Sequence, residues 1–600
     1  FGFSVPCAQE SQDRSGQLRE ESITDNERQL TANINFCRQL IRERNYEGAA
    51  ALLELLYESS PENVVIISLL VQCYNQLQHY EKSQAVITRH LDRYPGHFNF
   101  RLLLAEVFCR QGKRDEARQT YYRAAASLPP ENDGGLEAVV QSMVMHELDD
   151  AAENLIDSLR LQLADSTRFA IQKGMILQRH KRYAEAAREY YLLLPDTSGT
   201  GSAAEKRIVA LLDFIEAAGQ AEQAMLGQPD LFDNSRALKI LSAYYLKSGQ
   251  LDRAFQFAVH QDSLEGFRGS TPLAYMKSSF ERKLYGETVR MGDYLTARGG
   301  ELSKSAEPHF IYAEALVELG RHGDAIRAYS SIHDTFSRNR ERARALIGIG
   351  SVYLDRLSEY DTALVYFDSV KTYYTHDRIF LTAMMAIPFC HLRRGDLPAA
   401  AGEFEGLLQR RLDSEQQETV AYYLALIRLI DGQTDSAAAA LNKLLVDFPR
   451  GFYVNDAVRL LVTIDEARQY PTVLRAYSDA LLFEERRMPD SSSSRLNTIW
   501  QSGAGVLADL ALYKLAVIGL AEGDSASAAG YLDSLLSQHP DSYYVPYALK
   551  TKADLLSADM GTLDEAKEIL RRLLEDYPNY PFISEARKKL RRLEETSGSA

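Results

Sequence analysis

The best claim to chemistry belongs to a glycine-rich stretch. Gly199-Thr-Gly201-Ser-Ala-Ala-Glu-Lys206 carries the glycines that an anion-cradling loop needs and leads into a helical stretch. It follows no strand and lacks the full spacing of a nucleotide fingerprint, so the sequence favours a plain loop. Arg394-Gly395-Asp396 spells an adhesion tripeptide, but its Gly-Asp falls where a turn between helices is expected. The 12 histidines are scattered, with no pair at one-turn spacing to share a metal. No His-Glu-x-x-His, Walker loop or Cys-x-x-Cys occurs. Five cysteines make no disulfide framework, although Cys37, Cys73 and Cys109 are evenly spaced. The 34 tyrosines and single Trp500 hint at a sugar surface, yet most of those that can be placed fall on packing positions. No catalytic residue, no metal and no cofactor is therefore expected, and the chain reads as a non-enzyme.

The elements that would position any site are set by a period. Pro61, Pro95 and Pro129 stand 34 residues apart. With proline at position 32, units begin at Leu30, Val64 and Phe98. Position 20 is then Ala49, Ser83 and Ala117; position 8 is Cys37, Val71 and Ala105. Small residues there let two antiparallel helices approach closely. Position 24 (Leu53, Ile87, Tyr121) and position 11 (Leu40, Tyr74, Phe108) supply bulk to fill the wedge toward the next pair. Proline at 32 ends the second helix, because it offers no amide hydrogen and pushes its predecessor out of helical geometry. The pattern returns in Tyr183 to Ala187, Gly249 to Ala254, Gly320 to Tyr329 and Tyr360 to Phe367. Gly395 with Ala400, Gly432 with Ala437, Gly523 with Ala528, and Ala566 with Pro578 extend it. The three cysteines drift through this repeat and share no face, which makes them buried small residues.

These residues resemble the tetratricopeptide repeat, with its 34-residue period and its small–small–aromatic–proline signature. The family's frequent tryptophan at position 4 is missing, since Asn33, Ile67 and Arg101 stand there. The resemblance implies an all-α fold, an α-solenoid of antiparallel helix pairs, in which function lies on a groove lined by first helices. Eleven units are recognisable, and Gly134–Leu163, Ala203–Leu231 and Leu273–Ala297 leave room for degenerate ones.

Residues 1–25 read as a polar, disordered tail. Residues 1–6 resemble the end of an apolar signal core, so export is expected. Cys7 is a candidate lipid-anchor site, although Pro6 before it favours an ordinary cleavage remnant. Residues 26–195 form a first stack and residues 203–488 a divergent central one. A Ser-rich linker spans 489–505, and 506–600 hold a last pair of repeats with a capping helix. Asp196–Ser202 reads as a flexible loop. The formal net charge is −15 with no long basic run, which excludes nucleic acid as a partner. No segment is long and apolar enough for a membrane span.

His539-Pro540-Asp541-Ser542-Tyr543-Tyr544-Val545-Pro546-Tyr547-Ala548 and Asp576-Tyr577-Pro578-Asn579-Tyr580 are similar to interrepeat loops of bacterial envelope proteins. Those are the repeat lipoprotein of the outer-membrane β-barrel assembly machine and the periplasmic coordinator linked to the Tol–Pal system. The resemblance implies a periplasmic or outer-membrane-associated scaffold that binds other proteins, with peripheral membrane association. A cytoplasmic adaptor and a glycan-binding surface protein are the alternatives. Positions 9 and 13 of the first helices should face the groove one turn apart. They are Arg38 and Arg42, Gln72 and Gln76, and Glu106 and Arg110; position 5 adds Ile34, Ser68 and Leu102. Long amide and guanidinium donors suit an extended or helical segment, acidic in part.

Overall fold

The computed structural model describes residues 28–129, 131–298, 305–374, 379–502, 505–557 and 560–598, and among these every regular element is helical. The first three pairs show the plan. They are α1 (28–42) with α2 (Tyr46–Ser59), α3 (Val64–Gln76) with α4 (Tyr80–Arg93), and α5 (Phe98–Arg110) with α6 (Arg114–Ala126). Asn45 starts α2 by accepting from the Gly48 amide at 3.0 Å, and Asn63 starts α3 by accepting from the Val65 amide at 3.0 Å. Ala49, Ser83 and Ala117 are fully buried where paired helices come closest, with Leu53, Ile87 and Tyr121 buried beside them. The rule of small against large also holds where the letters change. In the pair Ala170–Arg179 and Tyr183–Tyr191, Gly174 lies flat against the Tyr190 ring, and a Cβ there would collide with it.

The turn inside each of several pairs is left-handed whether or not glycine occupies it. Gly112, Gly320 and Gly432 adopt φ of 75°, 74° and 84°, and Arg44, Lys181 and Arg487 adopt 61°, 60° and 56°. Only glycine does this without steric cost, so these turns are fixed by the helices that flank them. We expect Gly432→Ala to cost roughly 1–2 kcal/mol. Gly219→Ala should gain about 0.5–1 kcal/mol, since Gly219 lies inside the helix Ile215–Leu226 and its missing Cβ would meet nothing. Urea unfolding of the two variants checks the opposite signs.

The three intervals left open by the sequence are helix pairs. They are Asp133–Met145 with Asp149–Leu163, Gly199–Asp213 with Ile215–Leu226, and Ser270–Glu281 with Tyr285–Arg298. The loop expected over Asp196–Ser202 is shorter than its composition suggested. Ser198 accepts from the Thr200 amide at 3.2 Å and starts a helix at Gly199, while Arg236 Nη1 donates to the Asp196 carbonyl at 2.6 Å. The described residues divide into two compact units that meet between Tyr275 and Met276.

The Ser-rich linker expected over 489–505 is largely helix. Pro489–Gln501 forms a pair with Pro471–Glu485 through the left-handed turn at Arg487. Counting from that turn puts Ser492 at position 20, where it is fully buried, and Leu496 at position 24, also fully buried. Proline in the first turn suits a helix start, because its missing amide hydrogen has no intrahelical acceptor there. The sequence conceals this register because an extra helix, Val454–Glu466, packs on Thr434–Asp447 before this pair and breaks the period.

The second unit curls on itself. Arg487 Nη2 lies 3.1 Å from Asp355 Oδ1, and Arg393 Nη1 donates to the same oxygen at 2.8 Å. Arg487 also donates to the Asp355 carbonyl, and Tyr360 donates its hydroxyl to the Arg486 carbonyl at 3.4 Å. The turns of pairs far apart in sequence thus meet along one edge. Asp355 itself lies in a π turn, Tyr353–Leu357, that continues the helix Asn339–Val352.

Candidate protein-interaction surface

Exposed residues on the first helices arise from the same periodicity that buries position 8 and at least half-buries position 11. Arg38 and Arg42 on α1, Gln72 and Gln76 on α3, and Arg110 on α5 are all exposed. Arg38 Nη1 donates to Asn35 Oδ1 at 3.4 Å on its own helix. Two expected groove positions are otherwise engaged. Glu106 is half-buried and accepts from Ser142 Oγ at 3.0 Å, and that hydroxyl also meets the Tyr121 hydroxyl at 2.8 Å. Ile34 is buried in the core between the first two pairs, so position 5 of the first unit packs instead of facing a ligand.

Several sequence candidates are closed by the fold. Cys37 and Cys73 enter the same core cluster, contrary to the expectation that they share no face. Burial pushes both thiols up, Cys73 to about 11, which leaves them protonated and unreactive. In the adhesion-like tripeptide, Arg394 donates to Asp361 and Asp396 at 2.8 Å each, and Asp396 starts the next helix by accepting from the Ala399 amide at 3.2 Å. Tyr121, Tyr190, Tyr245 and Tyr477 are deeply buried, as packing required. Cys7 lies outside the described residues. Among the described residues no cluster of His, Cys, Asp and Glu could hold a metal, and no helix is long and apolar enough to cross a membrane.

Sequence reasoning missed a cavity in the second unit. It measures about 560 Å³ and is walled by the end of His322–Thr335, the start of Asn339–Val352 and the last turns of Tyr360–Tyr373. Arg342 lines it, with its Nε buried behind the wall and without a hydrogen-bond partner among the described residues, and Arg342 Nη2 lies 3.5 Å from His333 Nε2. Val365 and Tyr373 on its wall are 65% and 76% exposed. The run Arg338-Asn-Arg340-Glu-Arg342-Ala-Arg344 was the available signal, but its meaning depends on which residues the neighbouring helices bring to it.

Comparison with known proteins agrees with the repeat at both ends of the chain. Residues 42–124 match the family described as anaphase-promoting complex, cyclosome, subunit 3. Residues 510–542 and 552–580 match the tetratricopeptide repeat. No curated protein matches the sequence. Among solved structures, a tetratricopeptide repeat protein from Parabacteroides merdae is 14% identical over 48% of this chain and 99% of its own, with a TM-score of 0.24. The C-terminal part of a repeat-containing protein from Cytophaga hutchinsonii is 14% identical over 46% of this chain and 99% of its own, with a TM-score of 0.28. Yeast Tom70 is 13% identical over 77% of this chain and 99% of its own, with a TM-score of 0.27. Segments at both ends of this chain therefore carry tetratricopeptide-type repeats by sequence, and the helix pairs between them follow the same packing plan.

Proposed function

We propose that the protein is a non-catalytic scaffold that holds segments of other proteins against the exposed stripe of its first helices. One observation carries this reading. Arg38, Arg42, Gln72, Gln76 and Arg110 stand exposed on successive first helices while the faces behind them are buried. Side chains of this type donate hydrogen bonds and leave the acceptors to the ligand, which suits backbone carbonyls and acidic side chains of an extended or helical segment. The segments 539–548 and 576–580, similar in sequence to interrepeat loops of envelope proteins, support a setting in the bacterial envelope, periplasmic or associated with the outer membrane. There the Cys7 region would supply peripheral membrane association.

A glycan-binding surface is the second reading. Phe452 and Tyr543, at matching places after Pro449 and Pro540, are 78% and 67% exposed. Rings exposed in loops are what sugar stacking requires.

Affinity capture from the envelope fraction of the source organism separates the two. The double variant Arg42→Glu, Arg110→Glu should lose about tenfold or more of captured protein, since two favourable charges become repulsive. Unchanged capture of the same proteins would move the binding surface off this stripe, and the loop rings would become the stronger site. Circular dichroism must show that the variant keeps its helix content.

A further inference from the structure

The chain is acidic, with a formal net charge of −15, yet among the described residues no carboxylate lines the cavity at Arg342. Most other arginines of this region are already occupied. Arg338 pairs with Glu341 at 3.6 Å, Arg344 with Glu314 at 2.8 Å, and Arg356 with Glu318 at 2.7 Å. Arg342 instead leans on an imidazole. His333 Nδ1 lies 3.0 Å from Asp334 Oδ1, and the opposite ring nitrogen faces Arg342. A half-buried guanidinium with its Nε unsatisfied is poorly compensated for lost hydration, and a carboxylate matches its fork geometry.

The walls around that fork mix apolar and aromatic side chains with Asn339 and Ser369. Leu346 lies one turn beyond Arg342, and Tyr366 is held in place by stacking on Tyr353 with ring centroids 5.7 Å apart. Val365, Ser369 and Tyr373 succeed one another at four-residue steps along one helix face, a strip about 12 Å long. A single small anion would leave most of that strip uncovered. A peptide of several residues would cover it.

We propose that this cavity is a docking site for a partner-protein segment in which an acidic residue stands beside an apolar or aromatic one. The carboxylate takes the Arg342 fork, and the neighbouring side chain lies between Leu346, Val365 and Tyr373. The partner class rests on the scaffold reading above, but the residues are different and lie in the other unit. Positive and apolar features adjoin here against an overall negative chain, so charge complementarity selects an acidic occupant and repels a basic one.

The test uses the full chain and two immobilised pools of seven-residue peptides. One pool has Asp or Glu at the centre with varied flanks, and the other has Lys at the centre with the same flanks. The acidic pool should be retained, with apolar and aromatic flanks enriched, and retention should fall as salt screens the contact. Arg342→Gln should lower it about tenfold, the loss of a charge-assisted pair. Tyr373→Ala alters an exposed ring, so it leaves folding intact and should lower retention several-fold. The Arg42→Glu, Arg110→Glu variant should keep the part of the retention that Arg342→Gln and Tyr373→Ala remove. Equal retention of both pools, or retention insensitive to both Arg342→Gln and Tyr373→Ala, overturns the proposal. Either result leaves the stripe on the first helices to be judged by its own capture experiment.

Discussion

Replacing Glu189 with Ala is expected to destabilise the first unit by roughly 3–5 kcal/mol, the scale of leaving one member of a buried ion pair uncompensated. Arg160 Nη1 and Nη2 donate to the two oxygens of Glu189 at 3.0 and 2.7 Å, and its Nε donates to the Arg168 carbonyl at 2.8 Å. The two side chains are only 12% and 13% exposed. Lys173 Nζ lies 3.9 Å from the same carboxylate but keeps Asp157 at 2.5 Å, so the removal of Glu189 strands Arg160 alone. Asp115 makes a useful contrast. It pairs with Arg118 at 3.0 Å, but the side chains are 79% and 50% exposed. Asp115→Ala should therefore cost less than about 1 kcal/mol. Urea unfolding monitored by circular dichroism measures both, and equal losses would show that burial does not govern the Arg160–Glu189 pair.

Ser492 supplies the second large effect, and its sign depends on the replacement. Ser492→Leu should cost about 1–3 kcal/mol, because the side chain sits where two paired helices are closest. Ser492→Ala should raise stability by about 1 kcal/mol, since the buried hydroxyl has no hydrogen-bond partner among the described residues. A segment that merely linked two stacks would tolerate both changes equally. Identical melting curves for the two variants would therefore return Pro489–Gln501 to a linker.

The repeat was legible because its signature is local. A small residue four places before a large one, closed by proline, implies a helix pair whatever lies beyond it. Ala117, Tyr121 and Pro129 carry that information within a dozen residues, and the structure buries the first two. The Ser-rich stretch reads as a linker when composition is weighed above position. Serine is an indifferent helix former, yet Ser492, Leu496 and Ile499 form a buried stripe whose register shows only from the turn at Arg487. Val454–Glu466 hid that register by adding one helix without a partner of its own.

The exposure of Arg38, Arg42, Gln72, Gln76 and Arg110 could be read from periodicity, because a helix that buries one stripe presents another. Glu106 and Ile34 could not be assigned that way. Each is claimed by a neighbour from another part of the chain, Ser142 in one case and the core beside α2 and α3 in the other. The Arg342 cavity lay further from reach. Its walls come from the ends of three helices, and nothing in the run of arginines tells which of them has no acidic partner among the described residues.

The contact between Asp355 and Arg487 has a consequence for how the second unit comes apart. In an open stack each pair touches only its neighbours, so terminal pairs can peel away singly and folding energy is a sum of adjacent terms. A fastening between residues 132 positions apart adds a term that no nearest-neighbour sum contains. The pairs from 360 to 485 lie inside the loop it closes, and their departure is no longer independent. Pulling on the ends of this unit would first load the fastening, and the enclosed pairs would then yield together in one rupture instead of a ladder of small ones.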